Sequence, residues 1–159
     1  MADYYTELSV EIMQSDVDFP LDDVFHVMEA LNKGDHASLP EAYRGLFEGD
    51  HAEDHEGDPD DDCMVETLDI KYVLNKDSLW FYSTGYPNLE LIVNIIQAVM
   101  RVHDSKCAVG FEWGYTCSKP RTDGFGGGAV FITKDSQDWL STQGWLASKR
   151  DAFKKDTAG

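Results

Sequence analysis

The sequence predicts an α+β fold: a mostly antiparallel sheet of about five strands with helices on one face. Three observations carry this. Five segments have the length and apolar patterning of strands, three repeat apolar residues at helical spacing, and the two kinds interleave along the chain. The order is strand, helix, strand, strand, helix, strand, strand, helix. Its first six members match the split βαβ core of ferredoxin-like folds, extended by an added strand and helix.

Thr6 to Met13 alternates, with Leu8, Val10 and Ile12 on one face and Glu7, Ser9 and Glu11 on the other, as a half-buried strand does. Asp18-Phe19-Pro20 leads into Leu21, Val24, Phe25, Met28 and Leu31, the spacing of an amphipathic helix. Asp18 or Phe19 is expected at its entry, Pro20 in its first turn and Gly34 at its end. Residues 35–63 read as connection, with a helical turn expected from Pro40 to Phe47. Leu68, Ile70, Tyr72 and Leu74 then alternate with Thr67, Asp69, Lys71 and Val73. Asn75-Lys76-Asp77 is turn chemistry, and Ser78 to Ser83 returns as the second strand of a hairpin.

Pro87 opens a helix that runs to about Val102. Leu89, Ile92, Val93, Ile96, Val99 and Met100 mark its main face, and Leu91 and Ile95 widen it, so it is expected to be the central packing helix. Cys107 to Cys117 alternates again, with Cys107, Val109, Phe111, Trp113, Tyr115 and Cys117 on the predicted core face. Ser118 to Gly128 reads as a loop and Ala129 to Thr133 as a strand. Asp135 is placed to cap a last helix through about Lys149. One domain is expected over residues 1–150, with an acidic loop inserted at 49–62 and a C-terminal tail at 151–159.

The 159 residues are 42% hydrophobic, so a core can form and disorder throughout is excluded. The longest apolar stretch, Leu89 to Met100, is interrupted by Glu90, Asn94 and Gln97 and is too short to span a membrane. The opening MADYYTELSV has neither a basic nor an apolar leader region, so no signal peptide is expected. The cysteines, Cys63, Cys107 and Cys117, are odd in number and form no CxxC pair. A reducing, cytoplasmic location follows as the expectation.

Charge is the most informative feature. Residues 1–63 contain 19 acids against only Lys33 and Arg44, which accounts for the entire net charge of −17. Residues 64–159 contain 11 acids and 11 bases and cancel. The densest run, Gly49 to Asp62, holds Asp50, Glu53, Asp54, Glu56, Asp58, Asp60, Asp61 and Asp62. Such a run repels itself and is expected to stay solvated. It disfavours direct contact with nucleic acid or an anionic membrane and attracts a basic protein surface.

No motif proposes catalysis. His51 and His55 lie four apart among acids and near Cys63, but Gly49, Gly57 and Pro59 oppose a helix there. Ala52 stands where HExxH needs its Glu, and a twelve-residue calcium loop counted from Asp54 ends at Val65 rather than Glu. Solvated acids are the better reading, so neither a metal nor another cofactor is expected. Asp123 to Phe131, DGFGGGAVF, matches no phosphate-binding pattern and runs into a strand. Its glycines are expected to give permissive backbone geometry between two strands, or close approach of chain to chain. Lys119 and Arg121 before it read as solvated rather than as an anion site. His26 and His103 read as polar edges of helices. Trp80, Tyr82, Phe111, Trp113 and Tyr115 form an aromatic stripe that reads as core, or as a protein-docking face if one side of the sheet is open.

Residues 83–99 and 114–135, STGYPNLELIVNIIQAV and GYTCSKPRTDGFGGGAVFITKD, resemble small uncharacterised acidic proteins encoded by phages and plasmids. The resemblance implies a mobile-element origin and brings no catalytic residues. Proteins of that kind are similar in charge and size to inhibitors of host defence systems, of the anti-CRISPR or anti-restriction type, DNA mimics among them. The CSKPR segment and glycine run would then be shared scaffold and the acidic N-terminal part the variable surface.

The expectation is therefore a non-enzymatic interaction protein whose acids occupy a basic, nucleic-acid-binding surface on a host protein. The residues expected to carry it are the eight acids of the 49–62 run with Glu7, Glu11, Asp22, Asp23 and Glu29. Two alternatives stand beside it: a housekeeping domain whose charge serves solubility only, and an enzyme with a metal-assisted site assembled in space. A homodimer is left open.

Overall fold

A computed structural model describes residues 4–47, 68–122 and 124–158. Those residues form an α+β fold, with three α-helices and an open six-stranded antiparallel sheet among them. The strands are β1 (Tyr4–Met13), β2 (Lys71–Leu74), β3 (Ser78–Ser83), β4 (Val109–Cys117), β5 (Gly126–Ile132) and β6 (Gln137–Ser141). The helices are α1 (Leu21–Asn32), α2 (Leu89–Val102) and α3 (Thr142–Ala158). Strand order is β2-β3-β1-β4-β5-β6, so β1 lies between β3 and β4 and the units β1-α1-β2 and β3-α2-β4 interleave.

Residues directly opposite in an antiparallel pair project to the same face. The register Val10 to Phe81 and Ile12 to Leu79, continued by Tyr72 opposite Phe81, defines the face beneath α1 and α2. Across β4 and β5 the same face carries Val109, Phe111, Trp113, Val130 and Ile132, all buried. Phe81 meets Phe111 edge to face with ring centroids 5.6 Å apart. Helix α2 is buried over Ile92, Val93 and every residue from Ile95 to Met100, including Gln97, as its wide apolar face predicts. Gln97 survives burial because its Nε2 donates to the Thr133 carbonyl and its Oε1 accepts from Gln137.

Several element ends differ from the sequence expectation, each for a local reason. Pro20 is the N-cap of α1, but it has no side chain with which to cap. Gln14 supplies the cap instead: its Oε1 accepts from Leu21 N and its Nε2 donates to the Phe19 carbonyl. Asn88 caps α2 by accepting from Leu91 N. Gly34, with φ of 68°, ends α1 as expected. A short 3₁₀ turn, Glu41–Tyr43, is the one piece of helix within the expected turn from Pro40 to Phe47.

The C-terminal third departs most. Asp135 does not cap a helix. It sits in a tight turn where Thr133 Oγ1 accepts from the backbone N of both Asp135 and Ser136. That turn sends the chain back as a sixth strand, β6, paired with β5 from Ile132–Gln137 to Gly128–Ser141. The last helix starts only at Thr142 and runs through residues 151–158, which the sequence assigns to a tail. The glycine run is not all loop either. β5 begins at Gly126, and a Cβ on Gly127 would stand 2.5 Å from the Trp113 carbonyl oxygen, so glycine is what lets β4 and β5 close.

Candidate interaction surfaces

The face of the sheet opposite α1 and α2 is where the exposed groups of β1 gather. Glu7 and Glu11 project there and are exposed, with Ser9 between them. Glu11 is paired with Trp80 and Ser9 with Tyr82, and Val73 stands opposite Trp80 on β2. Trp80 and Tyr82 stack with centroids 4.3 Å apart, and Trp80 Nε1 donates to Ser9 Oγ at 2.8 Å. The predicted aromatic stripe is therefore divided. Phe111 and Trp113 are in the core, whereas Trp80 and Tyr82 lie half-buried on the outer face, flanked by Glu11 and Ser9 on β1 and by Val73 and Lys71 on β2.

The same outer face continues over β4, β5 and β6. Gly110, Phe131 and Asp138 form one cross-strand row, and Glu112, Ala129 and Leu140 form the next. Together they line a shallow depression of about 490 Å³ with a floor of small residues. Phe131 and Leu140 are exposed walls, and Glu112 and Asp138 are exposed acids at the rim. The sequence reasoning misses Glu112 and Asp138, because in a neutral half of the chain single acids carry no signal. The strand register is what joins them to Glu7 and Glu11 on one face.

The acids of α1 lie on the other side of the sheet and are mostly engaged. Asp22 is exposed. Asp23 Oδ2 accepts from the Tyr43 hydroxyl at 2.7 Å and lies 2.8 Å from His103 Nε2. This arrangement ties the start of α1 to the end of α2 with an anion and an imidazole at the helix ends where the dipoles favour them. Glu29 accepts from the Tyr72 hydroxyl and pairs with Lys33 at 2.8 Å. Those two contacts, Lys33 first and Tyr72 second, hold its carboxyl below the usual range. Burial, reinforced by Glu29, pushes the Tyr72 hydroxyl up to about 12.

Asp18, expected at the entry of α1, serves another element. Its carboxylate accepts from Ser105 Oγ at 2.5 Å and from Lys106 N at 2.7 Å, fastening the turn between α2 and β4. Those two hydrogen bonds, the Ser105 hydroxyl first, hold Asp18 far below the ordinary carboxylate range. Asp104 is held low by Lys134, with which it is hydrogen-bonded.

The acids at 50–62 all lie outside the described residues, as do His51, His55 and Cys63. The structure thus places Glu7 and Glu11 together, sets Asp22, Asp23 and Glu29 apart from them on α1, and does not describe the rest. Among the described residues no group of three or more His, Cys, Asp or Glu side chains is arranged to hold a metal ion. Cys107 and Cys117 are free thiols and half-buried rather than core, with Cys107 two residues before β4 begins. No helix of the described residues is long and apolar enough to cross a membrane. Comparison with protein-family models, with curated proteins and with solved structures finds no match for this chain.

Proposed function

We propose that this chain is a non-enzymatic acidic interaction protein that occupies a basic, normally nucleic-acid-binding surface on a partner protein. An inhibitor of a host defence system, encoded by a mobile element and acting from the cytoplasm, would work in this way. The observation that carries the proposal is the segregation of charge: residues 1–63 hold the whole −17. A basic partner meets that field before it meets any contact, and opposite charge speeds its approach. Once seated, carboxylates on a rigid strand, such as Glu7 and Glu11 on β1, can pair with arginines that otherwise bind phosphates.

The test begins with capture of partners from host lysate and continues with the purified partner. Association rates are measured across ionic strength for the wild type, for Asp58, Asp60, Asp61 and Asp62 changed together to Asn, and for Glu7→Gln with Glu11→Gln. The expected outcome is slower association of both variants at low salt, with the difference closing as salt rises. The partner should also release duplex DNA when the wild type binds. A captured set without nucleic-acid-binding proteins, or rates indifferent to all six substitutions, would leave the charge with solubility as its role.

A further inference from the structure

We infer that the C-terminal helix is a self-association element: α3 of one copy seats over the β4–β6 depression of a second copy, which returns the same contact. This inference uses residues of the neutral half of the chain, on the sheet face that also carries Glu7 and Glu11.

Its first support is that α3 lacks a packing surface of its own. Every described side chain from residue 142 to 157 is exposed, including Trp145 at 50%, Leu146 at 43% and Phe153 at 69%. The helix is anchored at its first turn, where Thr142 Oγ1 accepts from Gly127 N. Isolated helices of this length are marginal in water, and in proteins their stability comes mainly from tertiary packing. Trp145, Lys149 and Phe153 fall at successive intervals of four on one side of α3, with Leu146 beside them, and Lys149 Nζ lies 5.6 Å from the Trp145 ring.

The depression offers what that side of the helix needs. Its exposed walls are Phe131 and Leu140, which would cover aromatic side chains. Its rim is acidic, through Glu112 and Asp138, while α3 carries Lys149, Arg150, Lys154 and Lys155 against Asp151 and Asp156. The two surfaces therefore complement each other in both polarity and charge.

A second copy is the occupant that the charge distribution selects. Two chains of −17 repel if their N-terminal parts face each other. Residues 64–159 sum to zero, so a contact built from β4, β5, β6 and α3 adds little of that charge to the interface itself. A reciprocal contact is isologous and buries two helix seats at once. That matters because α3 is only about 25 Å long, and a stable interface needs roughly 800 Å² per partner.

The test is sedimentation equilibrium of the full chain over a micromolar to sub-millimolar range, with far-UV circular dichroism to confirm folding. The wild type should be a dimer. Leu146→Asp with Phe153→Asp should give a folded monomer, since neither side chain is buried within one chain. Asp138→Lys, on the receiving surface, should raise the dimer dissociation constant about tenfold, and adding Lys154→Glu should recover part of the loss. A wild type that stays monomeric throughout overturns the inference. So does a dimer that survives both the helix variant and Asp138→Lys, or a monomer whose α3 instead binds duplex DNA.

Discussion

The acids that look alike in the sequence do different work one residue at a time. Glu7 and Glu11 face outward from β1, while Asp18, Asp23 and Glu29 are hydrogen-bonded into the fold. Asp18 yields a pH prediction. Its folded pKa lies below the ordinary aspartate value of 3.8, so its contribution to stability is fully present above that value. It is lost as pH falls through 3.8 towards the lower folded pKa. Asp18→Asn keeps one acceptor for Ser105 but loses the charge and the second acceptor for Lys106 N. The variant should be less stable than the wild type at pH 5 to 7, and the gap should close below about pH 4, measured by urea midpoints at each pH. A gap constant down to pH 2 would mean that Asp18 acts by shape and not by charge. No sequence pattern shows which carboxylates are engaged, since Asp18 and Ser105 are 87 residues apart. A partial signal exists in Tyr43 and Tyr72, because a tyrosine packed into a core needs a partner for its hydroxyl.

At the scale of elements, periodicity was legible wherever one face of a segment is buried. The alternation in β1 and β4 and the broad apolar face of α2 follow directly from which residues meet the core. Ile96 is fully buried on that face, so Ile96→Ala should cost about 2–5 kcal/mol, read from denaturant midpoints. A loss under half a kcal/mol would place Ile96 outside the core. What the sequence hid lies between residues 118 and 142. Glycines in β5 read as loop because propensity disfavours them in strands, yet close approach of β4 requires them. Gly127→Ala places a methyl against the Trp113 carbonyl, a backbone atom that cannot rotate away. It should destabilise by about 1–3 kcal/mol, as overpacking does, whereas glycine in an ordinary strand interior would gain from alanine. Strand β6 was illegible for another reason. Thr133 and Ser136 build a side-chain-bonded turn that only the folded hairpin reveals, and Gln137 to Ser141 is too short to display a period of its own.

At the scale of the whole molecule, a charge of −17 confined to residues 1–63 acts on folding as well as on partners. The compact state holds like charges closer than the unfolded chain does, so self-repulsion subtracts from stability and added salt restores it. The effect is long-ranged only where screening is weak. The Debye length is about 30 Å at 0.01 M salt and about 8 Å at 0.15 M. The melting temperature of the wild type should therefore rise between those two conditions. Changing Asp58, Asp60, Asp61 and Asp62 to Asn removes four negative charges from the densest run with little change in volume. At 0.15 M salt the stability of this variant should match the wild type within about 0.5 kcal/mol, as the solvation expected of so charged a sequence requires. At 0.01 M it should be the more stable of the two, and its melting temperature should rise less with salt. Thermal melts of both chains across that range decide the matter. If the wild type instead loses stability as salt is added, attraction outweighs repulsion. Pairs such as Glu29 with Lys33 and Asp104 with Lys134 would then be the next to neutralise.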